Sequence, residues 1–135
     1  MAVDAAKRKA NAERLTLVGY SGGGAIAVLV ASRRNDVTKV VTVVADLDTE
    51  AWVKRYDLTP LRDSLNPADV AQKVEVIPQV HFVGTADRTV GPAIVDSYVA
   101  RARDRSRIQV VRLPERHECC WRERWRDLLA RYVMN

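Results

Sequence analysis

The clearest capacity for chemistry lies in five consecutive residues, Gly19-Tyr20-Ser21-Gly22-Gly23, where glycine stands two positions before and after a serine. Residues 15–18 are mostly aliphatic and predict a buried strand, and residues 22–34, which are mostly small and aliphatic, predict a helix. This order is typical of a strained turn that lifts a nucleophilic hydroxyl clear of a sheet, because side chains at the glycine positions would collide. The helix N-terminus would point unpaired N–H groups at an oxyanion, and Gly22 is the expected donor.

A glycine-rich turn between a strand and a helix can instead bind a phosphate, or only reverse the chain. Residues 19–24 lack the lysine of a P-loop. They also depart from the dinucleotide-binding pattern G-x-G-x-x-G, because Ser21 occupies the position of the second glycine. The nucleophilic serine is therefore the preferred interpretation.

A serine nucleophile needs a general base, and the chain has two histidines. His81 lies within a predicted strand at residues 80–83, so a packed core histidine is its expected role. His117 follows the predicted strand 108–113 in a loop. The carboxyl ends of parallel strands share one edge of a sheet, which is where such folds place their sites. We therefore expect His117 to be the base.

The base in turn needs an orienting acid. Asp87 lies just beyond the strand 80–83, and the order Ser21, Asp87, His117 is one of the known orders of a catalytic triad. Asp46 and Asp48 follow the predicted strand 39–45 and are the reserve candidates for the acid, with helix capping or loop hydrogen bonding as their alternative role.

The elements that must position these residues alternate between strand and helix along the chain. Strands are predicted at residues 15–18, 39–45, 80–83 and 108–113. Helices are predicted at residues 4–14, 22–34, 50–55, 67–73, around 92–102 and 120–133. The alternation predicts an α/β fold with a mostly parallel sheet of about four strands and helices on both faces, formed by residues 1–135 as a single domain.

Composition and charge narrow the function classes. The chain is 47% hydrophobic and 29% charged, and it contains no apolar run long enough to span a bilayer. Its net charge of +5 arises locally, because ten arginines and five acids lie between Arg101 and Arg131. Nucleic-acid binding is one interpretation of that surplus. A solvated helix surface with ion pairs is favoured, because the acids are interleaved and no aromatic stacking pattern accompanies the arginines.

The termini and cysteines give weaker indications. Residues 1–14 lack the apolar segment of a secretory signal, which predicts a cytoplasmic protein if Met1 is the natural start. Cys119 and Cys120 are adjacent, and a disulfide between neighbours strains the intervening peptide, so two free thiols are expected. Spacings typical of metal ligands are missing from the sequence, and we expect neither a metal nor an organic cofactor.

The chain resembles the α/β-hydrolase superfamily, and within it a group of uncharacterised bacterial serine hydrolases and esterases. The similar segments are LVGYSGGGAIA, VVTVVADLDTEAW, SLNPAD, IPQVHFVGTAD and HECCWRERW. The resemblance implies an esterase that cleaves small carboxylic esters, with Ser21 as nucleophile, Asp87 as acid and His117 as base. Tyr20 and Asp48 are expected to line the substrate site, although Asp48 is also interpreted as structural.

The resemblance covers the C-terminal half of the superfamily fold, from the nucleophile strand onward. Members normally carry several strands before that one, and a loop among them supplies the second oxyanion N–H, whereas about 14 residues precede it here. The alternative function is therefore a non-catalytic or weakly active remnant that serves as an interaction or scaffold module. The first strand would be an exposed edge, which predicts a homo-oligomer through that strand or the first helix.

Overall fold

The computed structural model describes residues 2–59 and 65–134, and its strands form one parallel sheet in the order β1-β2-β3-β4. The strands are β1 (Leu15–Tyr20), β2 (Val37–Val43), β3 (Gln79–Gly84) and β4 (Ile108–Leu113). The helices are α1 (Ala2–Lys9), α2 (Gly22–Ala31), α3 (Thr49–Arg55), α4 (Ala71–Val74), α5 (Pro92–Ala100) and α6 (Trp121–Leu128). The predicted α/β class and four-stranded parallel sheet are confirmed. Ser64, the first residue of the SLNPAD segment, lies outside the described residues.

Alternation along the strands divides the apolar residues between two cores, one on each face of the sheet. On one face α2, α4 and α5 pack on residues such as Val40 and Val83. On the other face the apolar stripe of α6 packs on Val41, Phe82 and Val111. Helices therefore cover both faces, as right-handed crossovers between parallel strands predict.

Four helices differ from their predicted bounds. Helix α2 ends at Ala31 rather than residue 34, and the helix predicted at residues 67–73 is a 3-10 segment, Pro67–Val70, followed by α4. The first helix ends at Lys9 rather than residue 14, because Asn11 adopts a left-handed backbone with φ 53°, which stops the helix before β1. The last helix ends as an α-helix at Leu128 and continues as a π-helical segment, Leu129–Val133. None of the helices in the described part of the chain has the length and apolar character that crossing a bilayer requires.

His81 is fully buried in β3 within a chain of polar side chains, as the core interpretation predicts. Its Nδ1 lies 2.6 Å from Thr42 Oγ1, and its Nε2 lies 2.8 Å from Gln79 Oε1. The hydroxyl of Tyr98 donates to the same Gln79 oxygen at 2.7 Å. Burial lowers the pKa of His81 to about 3, so the imidazole stays neutral at physiological pH. Its role is therefore structural, within the core, and not catalytic.

The buried His81 predicts that stability falls in mild acid. The unfolded chain takes up a proton near the ordinary histidine pKa of about 6.5. The native state does not take one up until about pH 3. The free energy of unfolding should therefore fall by about 1.4 kcal/mol per pH unit below about pH 6.5 through this group. Urea unfolding at several pH values would compare the wild type with His81→Gln, in which this titration is missing and all others remain. A stability difference that stays constant from pH 7 to pH 4 would contradict the assignment.

Strand β1 forms one edge of the sheet, and side chains on its surface are open to solvent. Val18 and Tyr20 are 51% and 48% exposed, and Ile26 on α2 is 62% exposed. Helix α1 buries none of its residues and is held by ion pairs from Lys7 to Asp36 and from Asp4 to Arg34.

Self-association through β1 or α2 stays a prediction. An uncharged edge strand with exposed apolar neighbours favours pairing with another chain. Light scattering is expected to give a multiple of the 15.1 kDa chain mass. A mass of one chain at working concentration would contradict it.

Candidate active site

Ser21 lies at the sharp turn between β1 and α2. Its backbone has φ 52° and ψ −120°, a conformation that L-residues with a side chain rarely adopt. Its N–H donates to the carbonyl of Val43 at 2.8 Å, which ties the turn to the end of β2. Helix α2 begins at the next residue, Gly22. The strained conformation therefore places the serine side chain at the edge of the sheet, as the motif predicts.

The glycines around Ser21 have unequal roles. A Cβ atom at Gly19 would collide with the backbone carbonyl of Gly23, so this position requires glycine. A Cβ atom at Gly23 would meet no atom within 4 Å, so the expectation of a collision there is wrong. The close approach falls one residue later, at Gly24, because this position of α2 faces the sheet and a Cβ atom there would collide with that of Ala45.

The structure brings Ser21, His117 and Asp87 into one hydrogen-bonded line. Ser21 Oγ lies 3.0 Å from His117 Nε2, and His117 Nδ1 lies 3.0 Å from Asp87 Oδ2. The side chains of His117 and Asp87 are 13% and 1% exposed. This is the geometry of a nucleophile, a base and an orienting acid, so the residues chosen from their order along the chain meet at one edge of the sheet.

Asp87 is held firmly as a carboxylate. Its Oδ1 accepts hydrogen bonds from the N–H groups of Thr89 at 2.8 Å and Val90 at 3.1 Å, which leaves Oδ2 for His117. Burial by itself raises the pKa of Asp87, but the hydrogen bonds from His117 and the two backbone N–H groups outweigh it. The pKa therefore lies below its ordinary value, and the group is charged at neutral pH.

Two further residues were expected to contact substrate, and the structure gives both of them contacts within the protein. The hydroxyl of Tyr20 donates to the backbone carbonyl of His117 at 2.6 Å. Asp48 is buried and caps α3 by accepting from the N–H of Ala51, and it also accepts from the side chains of Asn66 and Ser97. These contacts match the alternative structural role of Asp48, and its role toward a substrate stays a prediction.

Asp46, the other reserve candidate for the acid, makes no hydrogen bond to His117 among the described residues. Its Oδ1 is buried without a hydrogen-bond partner there. Burial, and then the nearby charge of Asp48, raise the pKa of Asp46 to about 6. The position of the acid beside His117 is filled by Asp87.

The loop that carries His117 is braced by residues that the sequence did not single out. The carboxylate of Glu115 accepts from the N–H of Cys120 at 2.8 Å and pairs with Arg124 at 3.2 Å. The carbonyl of Glu115 lies so close to Gly84 that a Cβ atom there would collide with it. In the sequence, the one sign of this close approach was Gly84, which lies between the strand and Asp87. It did not show that Glu115 is the residue that approaches it.

Cys119 and Cys120 close this loop before α6. Their sulfurs are joined by a disulfide, so the expectation of two free thiols is wrong. The N–H of Arg116 donates to the carbonyl of Cys119 at 2.9 Å, which folds the loop back on itself beside the two cysteines. No group of three or more histidine, cysteine or acidic side chains in residues 2–59 and 65–134 is arranged to hold a metal ion.

An open cavity of about 500 Å³ lies beside the end of β1. Its lining is mainly apolar and aromatic, with one acid and one base from the His117 loop and α6: Val18, Gly19, Tyr20, Val43, Glu118, Trp121, Arg122 and Trp125. Helix α2 begins directly after Ser21, so its N-terminus lies at the same edge as the cavity. The role of Gly22 as oxyanion donor stays a prediction.

Several solved structures share this architecture, while no protein-family profile and no curated protein sequence matches the chain. An esterase from Pyrococcus furiosus superposes with a TM-score of 0.77 at 13% identity over 98% of this chain. An α/β serine hydrolase homologue from Coxiella burnetii gives 0.71 at 19% identity over 98%. A monoacylglycerol lipase from Paleococcus ferrophilus gives 0.70 at 16% identity over 96%.

The superposed region is only part of those proteins. The chain spans 58%, 55% and 71% of the lengths of the esterase, the hydrolase homologue and the lipase. The likeness extends over the whole sheet, from the serine turn to the last helix, despite the low identity. The chain therefore has the fold of the superposed part of these α/β hydrolases.

Proposed function

We propose that this protein is a serine hydrolase that cleaves carboxylic esters through an acyl-enzyme. The observation that carries the proposal is the 3.0 Å contact between Ser21 Oγ, on its strained turn, and His117 Nε2. A serine hydroxyl is a weak nucleophile, and a neutral imidazole at hydrogen-bonding distance activates it by accepting its proton. The fold alone hosts many functions, so the argument rests on this site rather than on the architecture.

The first half of the reaction forms the acyl-enzyme. His117 Nε2 accepts the proton as Ser21 Oγ attacks the ester carbonyl carbon, and the carbonyl oxygen becomes an oxyanion. The N–H of Gly22 donates to that oxygen at the helix N-terminus. Asp87 stabilises the imidazolium that forms. The intermediate then collapses, His117 returns the proton to the alkoxide oxygen, and the alcohol leaves.

The second half repeats the same proton transfers with water. His117 accepts a proton from water as the water oxygen attacks the acyl carbon. His117 then protonates Ser21 Oγ as the carboxylic acid leaves. The neighbours named as an esterase and a monoacylglycerol lipase act on this class of bond, which supports an ester as the substrate. Gly22 is the one oxyanion donor that the described residues suggest, so we expect slow turnover, since one missing donor costs about 10²–10³-fold.

A fluorophosphonate probe tests the proposal directly, because it phosphonylates serines that a neighbouring base activates. We expect stoichiometric labelling, with the adduct located on Ser21 by peptide mass spectrometry and lost when the protein is denatured before labelling. Absence of labelling in the folded protein would contradict the proposal. It would favour the alternative, a non-catalytic interaction or scaffold module.

A further inference from the structure

The base of this site must be carried across the whole sheet. Ser21 follows β1 and His117 follows β4, and these two strands are the opposite edges of the sheet. Three strand spacings separate them, a distance of about 14 Å. The loop between β4 and α6 must therefore reach over the ends of β3 and β2 to bring His117 to the serine. The part of the loop that carries His117 therefore needs a contact with β1 to hold it in place.

Most of the hydrogen bonds that hold this loop come from its own side of the sheet. The N–H of Ala86, after β3, donates to the carbonyl of Glu115 at 3.1 Å. The indole N–H of Trp121, in α6, donates to the carbonyl of Arg116 at 2.9 Å. Asp87, also after β3, holds the His117 ring itself. These contacts orient the part of the loop near β3 and β4. They do not hold the part that extends toward β1.

Tyr20 supplies the contact on the far side. It is the last residue of β1, directly before the nucleophile, and its hydroxyl donates to the His117 carbonyl at 2.6 Å. The Tyr20 and His117 rings also lie with their centroids 5.6 Å apart. Apart from Ser21, it is the one residue of β1 or the turn that bonds to this loop within the described chain.

We propose that Tyr20 is a positioning residue, which fastens the backbone of His117 to the nucleophile strand and so sets the distance between the base and Ser21. The proposal rests on the proposed function and assigns Tyr20 a role different from the substrate contact expected from the sequence. The same turn that exposes Ser21 makes the preceding residue point toward the His117 loop. One strand end thus carries both the nucleophile and the anchor of its base.

The donor is present across the working pH range. Burial, followed by the negative charges of Glu118 and Asp87, raises the pKa of Tyr20 above its ordinary value of 10. The phenol therefore remains protonated at neutral and moderately alkaline pH and keeps donating to the carbonyl. Because the side chain is half exposed, removal of its hydroxyl leaves no buried donor or acceptor in the core.

The test is the rate of fluorophosphonate labelling in Tyr20→Phe, measured over a range of probe concentrations. We expect the maximal labelling rate to fall about tenfold, the order that loss of one hydrogen bond corresponds to. The probe concentration at half-maximal rate should stay unchanged, because no substrate contact is lost. The maximal labelling rate of Tyr20→Leu should fall by a similar factor. Hydrogen exchange of the loop between β4 and α6 should become faster in both variants.

The matched control is Tyr132→Phe, which removes a phenol hydroxyl from the segment after α6 and should keep the wild-type rate. A raised half-saturating concentration with an unchanged maximal rate in Tyr20→Phe would show a substrate contact and overturn the proposal. An unchanged rate and unchanged exchange would overturn it as well. Failure of the wild type to react would instead refute the proposed function, so the two failures are distinguishable.

Discussion

Replacement of Ser21 by alanine is expected to abolish ester hydrolysis, because loss of the triad serine costs about 10⁶-fold in rate. Alanine removes the Oγ atom that lies 3.0 Å from His117 Nε2 and leaves the base with no nucleophile to activate. The change adds no bulk at the strained turn, so the fold should survive. Release of p-nitrophenol from short p-nitrophenyl esters measures the effect.

The control for Ser21→Ala is Ser106→Ala, which removes a serine hydroxyl from an exposed turn where it donates to Asp104. We expect this variant to hydrolyse the esters at the wild-type rate. Equal hydrolysis by Ser21→Ala and the wild type would place the activity elsewhere or in a contaminant. Because one oxyanion donor is expected, the wild-type rate itself is slow, and hydrolysis by Ser21→Ala should fall to the rate of the uncatalysed reaction.

Replacement of Asp87 by asparagine should lower the rate constant for ester cleavage by about 10⁴-fold, the order seen when a triad acid is changed in this way. The side-chain oxygen would stay with the N–H groups of Thr89 and Val90, because those groups only donate. The amide NH₂ would then face His117 Nδ1, which must accept. The proton would move to Nε2, and the ring could no longer accept a proton from Ser21.

Asp46→Asn distinguishes the two candidate acids. Asp46 lies after β2 on the same edge of the sheet but does not bond to His117 in the described residues, so its variant should retain the wild-type rate within a few-fold. Thermal unfolding of both variants would show whether each keeps its fold. A loss in Asp46→Asn as large as that in Asp87→Asn would mean that Asp46, rather than Asp87, orients the base in the working enzyme.

Much of the site was predictable because parallel strands impose a simple geometric rule. Each strand of an α/β sheet ends at the same edge, so polar residues after successive strands come together regardless of the residues between them. That rule brought Asp87 and His117 to the Ser21 turn, although they lie far apart in the chain. The rule by itself does not separate Asp46, Asp48 and Asp87, because all three follow strands. The order of Ser21, Asp87 and His117 along the chain favoured Asp87, and the structure brings that residue to His117.

The local roles of individual glycines and loop residues were less predictable. The motif indicated a collision at Gly23, but the helix rotates that position away from the sheet and turns Gly24 inward. The bracing of the His117 loop by Glu115 depends on a carboxylate meeting Arg124 one helical turn into α6. Contacts of this kind depend on side-chain directions that residue type and spacing do not specify.

The amino-acid sequence by itself determined the alternation of strands and helices, the strained serine turn and the set of polar residues at one edge, because these follow from periodicity and glycine placement. Only the tertiary structure decided that the Asp46 carboxylate lies away from His117, that Asp48 caps α3, and that the Tyr20 hydroxyl holds the His117 carbonyl. The physical reason is that hydrogen bonds act over about 3 Å. A partner is therefore chosen by the final path of each loop, which long-range packing sets.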